Sequence, residues 1–315
     1  MKPLLIQLHP SDPAAMREEL LAGLAAEPAT IAPKYLYDAL GARLFAAITE
    51  LPEYYPTRTE AAIFAAHAAE MARALPAFAT LVDLGAGNCE KAARLFAPFA
   101  VQRYVAVDIS VDYLAASLEG IRHRHPHMEL AGVGLDFSAR LALPPEVGPG
   151  PRLMFYPGSS IGNFTPEAAL PFLRDVQAAA QGGALLVGVD LVKPVAVLEA
   201  AYDDPLQVTA AFNRNLLANV RRLAGADFRI EDWKHVAFFN RAASRIEMHL
   251  EAVRAVTVRW TGGERRFAAG ARLHTENSYK WRREDFAALL EAAGFRELRC
   301  WTDAREWFAV FLAAA

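Results

Sequence analysis

Residues Leu81–Lys91, LVDLGAGNCEK, run from an apolar segment into a glycine turn and then into residues that open a helix. A strand followed by Gly85-Ala86-Gly87 and a helix start reads as a loop that approaches a nucleotide. A dinucleotide fingerprint calls for a third small residue where Glu90 stands, which disfavours an NAD oxidoreductase. No Gly-Lys-Ser/Thr ending is present for a triphosphate, and a carboxylate at Glu90 repels phosphate. The loop therefore faces a nucleoside without phosphates.

The surrounding sequence alternates strands with helices. TLVDLGAG, RYVAVDIS, MELAGVGLDF, RLMFYPGS and GALLVGVDL are nearly continuous apolar runs, as expected of parallel strands covered on both faces. Helices are predicted between them at Glu90–Phe96, Val111–Arg122 and Pro166–Ala180. The last opens with Thr165-Pro166, an N-cap before proline, and stops at Gly182. Thr57-x-x-Glu60 reads as a capping box that opens an alanine-rich helix.

After Leu191 this alternation ceases for roughly ninety residues. A helical run, Val195–Ala224, precedes the alternating SRIEMHLEAVRAVTVRW, with TGGERR as the turn of a hairpin. The α/β pattern resumes with REDFAALLEAAGF, RELRCWTD and WFAVFLAAA, predicting a helix, a sixth strand and an antiparallel seventh. Such an ending separates the sheet from an ordinary dinucleotide fold. The expected boundaries are an α/β domain at 58–194 completed by 280–315, and a second α+β domain from 1–57 plus 195–279.

Bulk properties limit the function classes. With 315 residues, 54% of them hydrophobic and 22% charged, the chain can bury a sizeable core. A net charge of −3 lacks the basic excess of a nucleic-acid surface. Cys89 and Cys300 form no C-x-x-C pair, which suits a reducing compartment. The apolar core of MKPLLIQLHP is too short for a signal peptide, and no run reaches membrane-spanning length. A soluble cytoplasmic monomer without nucleic-acid or membrane partners is expected.

Further candidates lie at strand ends. Asp108 closes the second strand, where a carboxylate can accept both ribose hydroxyls. Asp136-Phe137 follows the third, pairing an acid for the adenine amino group with a ring for the adenine face. With Gly85 these describe S-adenosylmethionine (SAM) and a Rossmann-like SAM-dependent methyltransferase fold. The plainer alternative is that Asp108 and Asp136 cap the helices that follow. Lys91 is either a solvated helix residue or a charge partner for the carboxylate of SAM.

YDALGARLFAAITELPEYYPTRTE, GSSIGNFTPE, KPVAVLEAAYDDPLQVTAAFNRNLLANV, RIEMHLEA and HTENSYK together resemble the histidine-specific Nα-methyltransferases of ergothioneine biosynthesis. The resemblance covers nearly the whole chain, including the insertion that most methyltransferases lack. It implies SAM contacts at Gly85, Lys91, Asp108, Asp136 and Phe137. It implies substrate contacts at Tyr54, Asn163, Tyr202, Glu276 and Ser278, with Met248 lining the pocket and Tyr37 near the reacting amine. The implied reaction is trimethylation of the α-amino group of L-histidine to hercynine, consuming SAM and needing no metal.

The residue chemistry is compatible with those roles. Strand spacing puts Glu276 and Ser278 on one face, where a carboxylate and a hydroxyl can meet two imidazole nitrogens. Asn163 follows a glycine, and with Tyr202 it can bind a carboxylate without a cation. Against these stand default readings: Tyr54-Tyr55 as packing, Met248 as core by its alternation with Ile246 and Leu250, and Glu276 as a solvated acid. HRHPH, His123 to His127, is expected to be a solvated turn rather than a metal site, and Cys89 has no base beside it. Competing functions are methylation of another small amine and a non-catalytic SAM-binding module.

Overall fold

The computed structural model describes residues 2–8, 12–74, 78–109, 111–138 and 140–315. Met1, His9 and Pro10 of the N-terminal stretch and Ser110, at the end of one predicted strand, lie outside them. The chain divides into two compact units, Met1–Pro10 with Pro56–Val192 and Trp281–Ala315, and Ser11–Tyr55 with Lys193–Lys280.

In chain order the elements are β1 (Leu4–Gln7), α1 (Pro13–Ala25), α2 (Ala39–Thr49), α3 (Tyr55–Arg73), β2 (Thr80–Leu84), α4 (Glu90–Ala93), β3 (Arg103–Asp108), α5 (Val111–Arg124), β4 (Glu129–Gly134), β5 (Arg152–Tyr156), α6 (Pro166–Ala180) and β6 (Ala184–Asp190). The later elements are α7 (Val195–Ala200), α8 (Val208–Ala224), β7 (Trp233–Asn240), β8 (Arg245–Ala252), β9 (Val256–Trp260), β10 (Gly263–Phe267), β11 (Arg272–Tyr279), α9 (Arg283–Ala292), β12 (Arg296–Thr302) and β13 (Phe308–Ala314).

The first unit is built on one sheet of order β1-β4-β3-β2-β5-β6-β13-β12. Strands β2 and β5 are buried at every position, which explains their largely apolar sequences. As predicted, β13 is antiparallel, pairing with both β6 and β12. The sheet has eight strands rather than seven, because β1 pairs in parallel with β4, Leu4 opposite Ala131 and Gln7 opposite Gly134. The predicted assignment of all of residues 1–57 to the second domain therefore fails at its start. A four-residue edge strand is too short to show a period.

Three helix predictions need correction. The helix expected to begin with a Thr57–Glu60 capping box starts at Tyr55, so Thr57 and Glu60 lie inside α3. The helix after the glycine loop is only Glu90–Ala93. The run Val195–Ala224 breaks between α7 and α8 around Asp204-Pro205; the Asp204 carboxylate accepts from the amides of Val208 and Thr209 and so caps α8. By contrast, α6 spans Pro166–Ala180 as predicted, with the Thr165 hydroxyl accepting from Ala168 N.

The second unit contains the three-stranded antiparallel sheet β11-β8-β7 and the hairpin β9–β10. Helix α8 packs against β7, β8 and α2. Its buried face carries Thr209, Phe212, Asn213, Leu216, Leu217 and Val220, at the spacing of one helix stripe. Residues before α2 join this unit through Thr30, which bridges to His274 on β11.

Candidate active site

In the first unit, the residues expected to hold SAM follow the C-terminal ends of adjacent strands, where open α/β sheets bind ligands. Gly85 has φ +73°, a left-handed turn that glycine adopts without strain, and its amide donates to Val107 O at 2.8 Å. A Cβ there would stand 3.8 Å from Cζ of Phe137, so the loop and the ring face each other. Phe137 in turn lies edge-on to Tyr156, with ring centroids 6.0 Å apart.

Asp108 does not cap the following helix through its described contacts. Its Oδ2 accepts the Gly87 amide at 3.0 Å and its Oδ1 accepts that of Ile109 at 2.7 Å, which ties it to the glycine loop. Burial raises its pKa, and the two amides oppose that rise. Each oxygen retains a lone pair that can accept from a vicinal hydroxyl. Asp136 precedes no helix either; its Oδ1 accepts the amide of Ser138 at 3.1 Å, with the Ser138 hydroxyl as a second donor.

Lys91 is held rather than freely solvated. Its ammonium lies 2.8 Å from Oε2 of Glu60, whose Oε1 accepts the Gly158 amide at 2.7 Å. Glu60 is 1% exposed, so α3, α4 and the turn after β5 are tied together by one buried acid. Asn163 ends a 3-10 turn, Ser160–Asn163, and its side chain has no hydrogen-bond partner among the described residues. A glycine cradle, an acid with open lone pairs and an aromatic face suit an adenosine-bearing group without phosphates. Cys89, with burial pushing its thiol to about 12, is not a nucleophile.

The second unit gathers the aromatic candidates. Tyr37 stands edge-on to Phe45 and Phe212 at 5.5 and 5.4 Å. Phe45 meets Tyr54 at 6.1 Å, and Tyr54 meets Tyr202 at 6.2 Å. The Tyr202 carbonyl accepts from Nε2 of His235 at 2.8 Å, while Nδ1 of His235 accepts from Asn213 at 2.9 Å. Those two bonds fix a neutral tautomer, consistent with burial lowering the pKa of His235.

A bulge on β11 decides which face carries Glu276. His274 pairs with His249, yet Glu276 pairs with Met248, and the register shifts between them. Neighbouring residues of β8 point to opposite faces, so the extra residue, Thr275, turns Glu276 away from His274 and onto the face of Met248. The Thr275 hydroxyl anchors this bulge by donating to Met248 O at 3.0 Å. Past the bulge, Ser278 pairs with Ile246 and shares the face of Glu276. The opposite face holds Glu247, kept at about 2 against the pull of burial by hydrogen bonds from Asn240, Arg245 and His249.

Glu276 is neither solvated nor paired by a hydrogen bond among the described residues; it is 7% exposed. Burial pushes its pKa up to about 7, and the charge of Lys280 pulls the other way. Beside it, the Ser278 hydroxyl lies 2.8 Å from that of Tyr202 and accepts from Lys280 Nζ at 2.8 Å. Met248 is buried, as its alternation implied, and lies opposite Glu276.

Sequence reasoning missed Phe45, Phe212 and Lys280. Phe212 carried only the ordinary signal of a helix core, and Lys280 stands two residues beyond Ser278 in strand spacing. The HRHPH segment is partly a packed turn: His125 meets Phe96 edge-on at 5.1 Å, and His123 pairs with Glu119 at 3.1 Å. Among the described residues, no group of three or more His, Cys, Asp or Glu side chains is placed to hold a metal ion. No helix among them is long and apolar enough to cross a membrane.

Two mycobacterial relatives are similar over almost their whole length. A histidine Nα-methyltransferase of Mycolicibacterium smegmatis is 42% identical over 306 residues, covering 95% of this chain and 94% of the relative. One of Mycobacterium tuberculosis is 41% identical over 307 residues, covering 95% of each. A 4-dimethylallyltryptophan N-methyltransferase of Claviceps purpurea is 27% identical over 261 residues, covering 75% of this chain and 76% of the relative. A family model described as histidine-specific, SAM-dependent methyltransferase matches residues 16–315, and the chain belongs to that family.

Proposed function

We propose that this enzyme transfers three methyl groups in succession from SAM to the α-amino nitrogen of L-histidine, releasing hercynine for ergothioneine biosynthesis. The observation that carries the choice of substrate is the pairing of Glu276 and Ser278 on one buried face of β11. An apolar side chain would leave the buried Glu276 carboxylate without a hydrogen-bond partner, which opposes it strongly. An imidazole can donate an N–H to Glu276 and meet Ser278 with its second nitrogen. The two mycobacterial relatives support the same reading.

In this reading the first unit holds SAM and the second holds the amino-acid side chain. Gly85 leaves room for the donor, Asp108 accepts from the ribose, Asp136 and Phe137 receive the adenine, and Lys91 offers a positive charge toward the carboxylate of the donor. SAM supplies an electrophilic methyl group on a sulfonium. Asn163 and Tyr202 are assigned to the substrate carboxylate and Met248 to the wall beside the ring.

Methyl transfer needs a neutral amine with its lone pair aligned, so positioning supplies much of the acceleration. The amine loses a proton before each transfer. Tyr37 is assigned to assist that loss, directly or through water, with Phe45 and Phe212 fixing its ring. The faces of Tyr37 and Tyr54 favour the cationic, increasingly methylated nitrogen. The test is stoichiometry: with limiting histidine, S-adenosylhomocysteine should form in a ratio of three to one. Accumulation at one to one, or no turnover with histidine, would refute the reading.

A further inference from the structure

Lys280 is 3% exposed, and its ammonium donates to Ser278 Oγ at 2.8 Å and to Tyr202 Oη at 3.1 Å. It also lies 4.8 Å from the centroid of the Tyr202 ring. The two hydroxyls are themselves 2.8 Å apart, so one donates to the other. An ammonium only donates, so it takes one lone pair from each oxygen. These three bonds orient the two hydroxyls relative to one another, in place of a freely rotating serine and a separate phenol. The same ammonium sets a positive charge near Glu276, which disfavours a cationic substrate side chain beside it.

We propose that Lys280 is a positioning residue that determines specificity. Bonded to Tyr202 as well, it holds the hydroxyl of Ser278 in one orientation toward the substrate ring and so selects a nitrogen-bearing ring over an apolar ring of equal size. The inference rests on the reading that the substrate ring meets Glu276 and Ser278. Lys280 is not assigned contact with substrate; it acts through the two hydroxyls.

The test compares kcat/KM for histidine and for thienylalanine, whose five-membered ring lacks any N–H, in the wild type, Lys280→Met, Ser278→Ala and the double variant. Charge-assisted hydrogen bonds of this kind imply that Lys280→Met lowers the preference for histidine by roughly 30-fold, mainly through KM. Because both residues act as one unit, the double variant should lose little more preference than Ser278→Ala alone. Equal losses for both substrates, or additive losses in the double variant, would overturn the proposal. A wild type without preference for histidine would instead overturn the reading of the ring site itself. If Lys280→Met does not fold, Lys280→Arg is read by the same ratio: it keeps the charge but not the single donor position between the hydroxyls. An unchanged ratio in that variant would count against the proposal.

Discussion

Glu276 and Met248 are register partners across β11 and β8, placed opposite one another by the bulge at Thr275. A buried acid thus shares its face with a large thioether. That arrangement sets polar groups, Glu276 and Ser278, beside an apolar one, as a selective ligand site requires.

Glu276→Ala should raise KM for histidine by roughly 10- to 100-fold, the value of a hydrogen bond to a charged group. KM for SAM should change less than about threefold, because the lost contact belongs to the other substrate. Steady-state kinetics with each substrate varied in turn checks this. Equal effects on both would make Glu276 a structural acid.

The raised pKa of Glu276 also predicts a pH dependence of folding in the ligand-free enzyme. The folded state keeps this proton up to about 7, whereas the unfolded chain releases it near 4.5. The folded state therefore binds more protons in that window, and stability falls as pH rises through it. The contribution is at most about 3 kcal/mol, since a tenfold change in proton affinity is worth ~1.4 kcal/mol. Glu276→Gln should flatten this part of the profile, as urea denaturation at about pH 5 and about pH 8 would reveal. Parallel profiles for both proteins would show that Glu276 does not titrate there.

Asp108→Ala should weaken SAM binding at least about tenfold, since it removes an ionised acceptor and frees the Gly87 amide it holds. Calorimetry on the purified protein measures this directly. Unchanged affinity would reject the placement of the ribose at β3.

Glu60→Ala removes the acceptor of the Gly158 amide and the partner of Lys91. Lys91 is partly exposed, so its ion pair contributes little; the unpaired Gly158 amide carries most of the cost. Stability should fall by about 1–3 kcal/mol. A midpoint within experimental error of the wild type would show that the buried acid is dispensable.

How far the sequence was legible follows from which signals are local. The order of β2 through β6 could be read because each strand is buried on both faces and bounded by turns or caps. Strand β1 was invisible because its pairing with β4 joins residues far apart in the chain. Glu60 sat at the right spacing for a capping box, but its structural task depends on Lys91 and Gly158. Glu276 and Ser278 were predicted to share a face, and they do. The face itself was set by a bulge whose anchor, Thr275 to Met248 O, lies in another strand. Lys280 and Phe212 escaped notice for a similar reason: what gives them a task is their neighbours from other elements.

The central claim is tested most directly by mass spectrometry of the purified enzyme incubated with SAM and each of the twenty amino acids in turn. A gain of three methyl groups on histidine, and on no other amino acid, is the expected result. Methylation of a different amino acid in its place, or of none, would contradict the claim.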